Sequence, residues 1–418
     1  MDAGSEAPYY PRHLEERVLE ALTDSPVVLV HGPRQCGKTT LARHVGKAQG
    51  YDYITFDDTT QKEAAEIDPI GFLDALPEKV ILDEVQRVPA LFTSLKATID
   101  ADRTPGRFIL TGSANVLLVP KLTDSLAGRM EILRLHPLSQ REIKRQSPEG
   151  ILSCLFGEGF SAGPKDPRLG RKLAEIVTRG GYPAALARAS AERVAAWYRD
   201  YTDTLIQRDV KDLARIQSLD ILPRLLSAAA DRTAQLVNMA EMSGPFRITR
   251  PTVQEYVTLL SRIFLLEELP PWHNNRLKRL IKSPKLHMGD TGLACALLGL
   301  GPEELWKDRI RFGAMLETFV LQELRREASW LPKRHAIFHF RDKDKVDVDF
   351  VIESAGKIAG VEVKAAATVT SSDFSGLRKL QNAIPGHFVR GILLYDGDAV
   401  VPFGQNLHAV PISMLWRA

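Results

Sequence analysis

Residues 27–41 read Val27-Val28-Leu29-Val30-His31-Gly32-Pro33-Arg34-Gln35-Cys36-Gly37-Lys38-Thr39-Thr40-Leu41. The run from Val27 to Val30 is all valine or leucine and follows Pro26, as a buried parallel strand would. Gly32 to Thr39 then fits G-x-x-x-x-G-K-[ST]. Its glycines let the backbone curl so that successive N–H groups point at an anion. A helix starting near Lys38 aims its positive dipole end at the same place. The pattern thus assigns phosphate contact to Gly32, Pro33, Arg34, Gln35, Cys36, Gly37, Lys38, Thr39 and Thr40. Lys38 is expected to reach the β- and γ-phosphates of a nucleoside triphosphate, and the Thr39 hydroxyl to ligate Mg²⁺. The bland alternative is a plain strand–turn–helix.

Apolar spacing at Leu14, Val18, Leu19 and Leu22 places a helix ahead of this strand. Downstream, residues 53–56 read as a second strand and residues 79–82 as a third, which runs into Asp83-Glu84. Acids directly after an apolar strand suit the second ligand group of a nucleoside triphosphatase, supplied by a strand neighbouring the loop. Asp83 is expected in the Mg²⁺ shell, and Glu84 as general base on the attacking water. A fourth strand, residues 107–110, leads into Thr111-Gly112-Ser113-Ala114-Asn115. Ser113 or Asn115 there could sense the γ-phosphate, or could equally cap the next helix. Arg129, before a strand at residues 130–135, is a candidate arginine finger for a neighbouring subunit, or else a surface arginine at a helix end. Alternating strands and helices imply a parallel sheet with ligand at the carboxyl ends of its strands.

GPRQCGKTT, VILDEVQ, ILTGSAN and SLAGR, in this order, resemble the prokaryotic AAA+ ATPases of uncharacterised role. The resemblance spans almost the whole chain. It implies an α/β protein with a P-loop NTPase (AAA+) parallel-sheet core, then a helical and winged-helix region, then a C-terminal α/β domain like the PD-(D/E)XK restriction endonucleases. It also implies ATP rather than GTP, with Mg²⁺, and a homo-oligomer, possibly ring-shaped. The expected segments are 1–145 for the core, 146–215 for a helical lid and connector, 216–300 for the winged-helix region and 301–418 for the nuclease-like domain.

The totals are compatible with this. A chain of 418 residues with 44% hydrophobic content can build two or three cores. With 55 basic against 52 acidic residues, net charge neither favours nor disfavours nucleic acid, so local patches carry that question. Three scattered cysteines, Cys36, Cys154 and Cys295, show no C-x-x-C pairing, which fits a reducing cytosol and offers no zinc site. Asp2 and Glu6 exclude a signal peptide in the N-terminal stretch, and no apolar run reaches the roughly eighteen residues of a spanning helix. The expectation is a soluble, cytoplasmic protein without membrane partners.

Residues 147–168 are rich in Gly, Pro and Ser and read as a connection. After the turn Gly180-Gly181-Tyr182-Pro183, one Ala-rich helix is expected over 184–215. On it Arg208 is a second sensor in the likeness, or a helix-face ion-pair partner. Helices over 219–230, 235–242 and 249–264, followed by a basic hairpin over 272–285, form the winged helix-turn-helix plan. Arg276, Lys278, Arg279, Lys282 and Lys285, with Trp272 nearby, would suit phosphate contacts and stacking on DNA. Glu255 on the outward helix face argues against this, and winged helices also serve protein–protein contacts.

Further on, Asp349, twelve intervening residues and then Glu362-Val363-Lys364 make the D…E-x-K pattern. Asp349 and Glu362 would share a hard divalent ion. Lys364 falls on the same strand face, where it would activate water or steady phosphate, and Glu317 on the preceding helix is the usual fourth member. The domain either cleaves or serves as a binding module. Three functions are therefore carried forward: an ATPase acting on DNA, an ATP-gated nuclease, and a nucleotide-dependent switch that recruits a protein.

Overall fold

The structure is a computed structural model that describes residues 9–113, 128–160, 167–210, 220–236, 238–273, 283–344 and 346–417. The chain divides into two compact units, Met1–Leu138 with Arg262–Phe264, and Ser139–Ser261 with Leu265–Ala418. The last three expected segments thus fall mostly within one unit.

In the first unit, strands β1 (Val27–His31), β2 (Asp52–Thr55), β3 (Val80–Asp83), β4 (Phe108–Gly112) and β5 (Met130–Arg134) form one parallel sheet. Its spatial order is β2-β3-β4-β1-β5. Both faces of the central strands are covered, so β1, β3 and β4 are buried along their whole lengths and read as apolar runs without alternation up to their carboxyl ends, where His31, Asp83 and Thr111 sit. Val27, Leu29, Val80, Leu82, Phe108 and Leu110 pack with Phe56, Phe92 and Leu95 into a single core. Two details depart from expectation. Strand β4 lies between β1 and β3, so the acidic strand is not hydrogen-bonded to the loop-bearing strand. In addition, β3 runs through Asp83 and β4 through Thr111, which fixes both side chains by sheet pairing instead of leaving them in loops.

In the second unit, the expected helix over 184–215 breaks in two. Pro183–Leu186 is followed by Ala191–Leu205, whose N-terminus is capped by the Ser190 hydroxyl accepting the Arg193 N–H. The helix then loosens into a π turn over Ile206–Val210, where Arg208 is exposed. Residues 147–168 are not purely a connection, because Ile151–Phe156 is helical and buries Leu152 and Leu155. The expected helix over 235–242 is a short strand, β6 (Gln235–Leu236), and then a helix, Met239–Ser243, capped by the Asn238 side chain. With helices Ile221–Asp231 and Arg250–Arg262 and strands β7 (Leu266–Leu269) and β8 (Lys285–Met288), the order is helix, strand, helix, helix, strand, strand. The small sheet is antiparallel in the order β6-β8-β7, which is the winged-helix plan.

The C-terminal sheet has six strands, β9 (Ala336–Arg341), β10 (Asp347–Ser354), β11 (Lys357–Lys364), β12 (Phe388–Tyr395), β13 (Val401–Gly404) and β14 (Leu407–Pro411). Strand β14 pairs with β12 in parallel and β13 closes the edge. A 22-residue helix, Arg309–Trp330, precedes the sheet, and Ser375–Ala383 connects β11 to β12. A buried polar knot ties the helical part of this unit together. Asp290 caps the helix Thr291–Leu298 through the Gly292 and Leu293 N–H groups, accepts the Gly181 N–H at 2.9 Å and pairs with Arg326. The Gly180-Gly181 turn, more than a hundred residues upstream, is thereby fastened to the start of that helix.

Candidate nucleotide site at the loop after the first strand

Gly32 sits at φ +156°, and a Cβ on it would lie 2.1 Å from the Leu135 carbonyl oxygen. Gly37, at φ +103°, caps the helix Lys38–Gln49 in the left-handed region that a side chain disfavours. These two positions explain the glycines of the motif. Between them, Gln35 also takes a left-handed conformation (φ +58°) and is exposed, whereas Cys36 is fully buried with its thiol on the Leu135 carbonyl. Arg12, which the sequence did not single out, braces the loop from behind. Its guanidinium donates to the carbonyls of Cys36 (2.8 Å) and His136 (2.7 Å). Lys38 is buried and its ammonium donates to the Pro33 carbonyl at 2.8 Å, across the mouth of its own loop. His31 ends the strand beneath. Burial, then the charges of Arg134 and Lys38, lower its pKa to about 3, so the imidazole is neutral at any physiological pH.

The sheet brings the acids to this loop. The Thr39 hydroxyl donates to both carboxylate oxygens of Asp83, at 2.9 and 3.1 Å. Asp83 also accepts the hydroxyls of Tyr53 (2.8 Å) and Thr111. Burial and then Asp83 push the Tyr53 phenol up to about 12, so it stays a donor. Glu84 follows at φ +58°, a backbone conformation unusual for glutamate and worth a look at any functional site. Its N–H is held by the Thr111 hydroxyl at 3.2 Å, and its carboxylate accepts Ser113 (2.8 Å) and the Gln86 amide. A hydroxyl and a carboxylate within hydrogen-bond distance at a helix N-terminus are the hard oxygen donors that Mg²⁺ prefers, so the residues present fit a magnesium nucleotide.

A family model described as an AAA domain matches residues 24–144. Models described as domains of unknown function, DUF8612 and DUF4143, match residues 170–304 and 312–415. Uncharacterized proteins of Mycobacterium tuberculosis and Mycobacterium bovis are each 31% identical over 407 residues, which is 97% of this chain and 84% of theirs. The chain belongs to this family of AAA-domain P-loop proteins. Among solved structures, the Walker-type ATPase of Pyrococcus abyssi has a TM-score of 0.45 at 16% identity, covering 71% of this chain and 99% of that one; so slight a likeness does not bear on function.

Other sequence-derived candidates of this AAA-domain protein fare differently. Arg129 forms a two-point pair with Asp100 of the same chain, at 2.6 and 2.9 Å. Asn115 and the hairpin cations Arg276, Lys278, Arg279 and Lys282 lie outside the described residues. Two members of the expected DNA-contacting set are turned inward. Trp272 is 4% exposed, sits in the C-terminal core and donates its indole N–H to Glu353, so it offers no ring for stacking. Lys285 opens β8 and is only 6% exposed. No helix among the described residues is long and apolar enough to cross a membrane.

The C-terminal pattern does converge in space. Asp349 on β10, Glu362 and Lys364 on β11 and Glu317 on the helix Arg309–Trp330 share one acidic site. The Asp349 N–H approaches Glu362 at 3.4 Å and Lys364 pairs with Glu362 at 3.2 Å. Burial and then the Asp349 charge raise the pKa of both Glu317 and Glu362 above the usual carboxylate range. Lys285, which no sequence signal placed here, is the fifth member. Its ammonium lies 2.7 Å from Glu317 and 3.4 Å from Asp349.

Proposed function

We propose that this AAA-domain protein is a Mg²⁺-dependent ATP phosphohydrolase. The contact that carries the reading is Thr39 to Asp83 at 2.9 Å, because it joins the metal-ligating hydroxyl of the loop to the carboxylate of the acidic strand. The triphosphate would lie along the N–H groups of residues 32–39, with Lys38 exchanging the Pro33 carbonyl for a phosphate oxygen. Thr39 and Asp83 would hold the Mg²⁺, which supplies charge neutralisation between the phosphates. Glu84 accepts a proton from the attacking water as its oxygen bonds to the γ-phosphorus and ADP departs. Selection of ATP over GTP follows from the family likeness. Arg129 completes a neighbouring subunit's site by exchanging Asp100 for the γ-phosphate.

Calorimetry on the full chain with Mg²⁺ and ATP tests the site. Native protein is expected to bind with micromolar affinity, and Lys38→Ala to lose at least tenfold. Undiminished binding in that variant would place the nucleotide elsewhere.

A second component of the reading is action on DNA. Its support is the helix–strand–helix–helix–strand–strand order of residues 221–288, with the phosphate contacts assigned to Arg276, Lys278, Arg279 and Lys282 alone.

A further inference from the structure

The D…E-x-K pattern implies a divalent ion bound to Asp349 and Glu362, yet each of their four carboxylate oxygens already has a protein donor beside it. Asp349 gives one oxygen to the Lys285 ammonium (3.4 Å) and the other to the Val363 N–H (2.9 Å). Glu362 gives one oxygen to Lys364 (3.2 Å) and the other to the Asp349 N–H (3.4 Å). Glu317 accepts Lys285 at 2.7 Å. A magnesium or calcium ion would sit about 2.0–2.6 Å from its oxygens. An ion bridging Glu317 and Asp349 would therefore overlap the Lys285 nitrogen and meet a second positive charge. Among the described residues, no group of three His, Cys, Asp or Glu side chains is placed to hold a metal. With Lys285 on Glu317 and Asp349 and Lys364 on Glu362, every acid of the set already faces an ammonium, and the residues present do not fit the ion.

We propose that Lys285 is the resident cation of this site. Its ammonium replaces the divalent ion, so the C-terminal domain is a metal-free module in which β8 is ionically fastened to the sheet, rather than a nuclease. Two features support a built-in lysine over a surface side chain caught by chance. Lys285 is paired on both sides by β6 and β7, at Leu236 and Leu269, so its Cα cannot drift. All four residues of β8 are buried, Lys285 among them. The three carboxylates, Glu317, Asp349 and Glu362, face two ammonium groups, Lys285 and Lys364, in a small volume. Removing Lys285 leaves a cluster that needs another cation.

The test is Mn²⁺ binding to the nucleotide-free full chain, followed by electron paramagnetic resonance and by thermal shift. Native protein and Asp349→Asn are expected to bind the same number of ions, with no Asp349-dependent equivalent. Lys285→Met is expected to gain one Mn²⁺ equivalent together with a Mn²⁺-dependent rise in melting temperature, both lost in Lys285→Met/Asp349→Asn. An Asp349-dependent equivalent in the native chain overturns the proposal, as does a folded Lys285→Met that gains none. Should Lys285→Met fold only with Mn²⁺, that requirement is the gained site. Should it fold under neither condition, the native and Asp349→Asn comparison decides alone. None of these outcomes depends on whether the chain hydrolyses ATP.

Discussion

Glu84, the proposed general base, is held in place from several sides. Its left-handed backbone turns the chain sharply at the end of β3, and Ser113 and Gln86 then hold the carboxylate while Thr111 holds its N–H. Ser113 also accepts the Gln86 amide at 2.9 Å, which closes a three-member ring of contacts around the proposed base. On this reading Ser113 is a positioning residue. Ser113→Ala is expected to lower kcat for ATP by about tenfold, a fraction of the effect of general-base loss, while KM stays within about twofold. A rise in KM at unchanged kcat, measured by steady-state phosphate release, would assign Ser113 to nucleotide binding instead. That the glycines, Lys38 and Thr39 share one strand–loop–helix, and that Asp83 and Glu84 share one strand end, was legible in the sequence because spacing within a single element sets it. Tyr53 and Thr111 were not. Each reaches Asp83 only because β2 and β4 flank β3 in the sheet, and a strand neighbour carries no mark in the linear pattern.

At the level of elements, the buried polar knot around Asp290 holds the helices of the second unit. Arg326 is buried between Asp290 and Glu323, and Asp290 in addition satisfies three backbone N–H groups. Truncating one partner of such a buried pair leaves the other uncompensated. Asp290→Ala is accordingly expected to destabilise this unit by roughly 3 kcal/mol. Asp290→Asn, which keeps the acceptor oxygen for the cap, should cost less. Urea unfolding followed by tryptophan fluorescence checks the ranking; equal midpoints for native protein and Asp290→Ala would show that the knot is not a stabilising element. The sequence signalled the turn at Gly180-Gly181 and the start of the helix at Asp290-Thr291, but not that the two meet. Elements that broke expectation did so for local reasons of the same kind, such as the Ser190 cap dividing one Ala-rich run into two helices.

Across the whole molecule, fold class was readable from alternation of strands and helices, since a parallel sheet needs crossover helices to connect its strands. Strand order was not readable, and the interposed β4 changes what supports the site: Asp83 meets Thr39 across a strand that contributes Thr111, with Ser113 directly after its end. At the two described ends of the basic stretch over 272–285, charge and composition misled. Both residues were assigned to DNA contact, whereas Trp272 and Lys285 belong to the interior of the second unit, and only the apolar Leu286 and Met288 beside Lys285 hinted at a buried strand. What unites the molecule functionally is the claim that the loop at residues 32–39 and the acids Asp83 and Glu84 form one hydrolytic centre. The most direct measurement is phosphate release from Mg²⁺-ATP by native protein and Glu84→Gln, with ATP binding followed in parallel. The account predicts turnover reduced by about a hundredfold or more with ATP affinity retained. Phosphate release at the native rate in Glu84→Gln would contradict it.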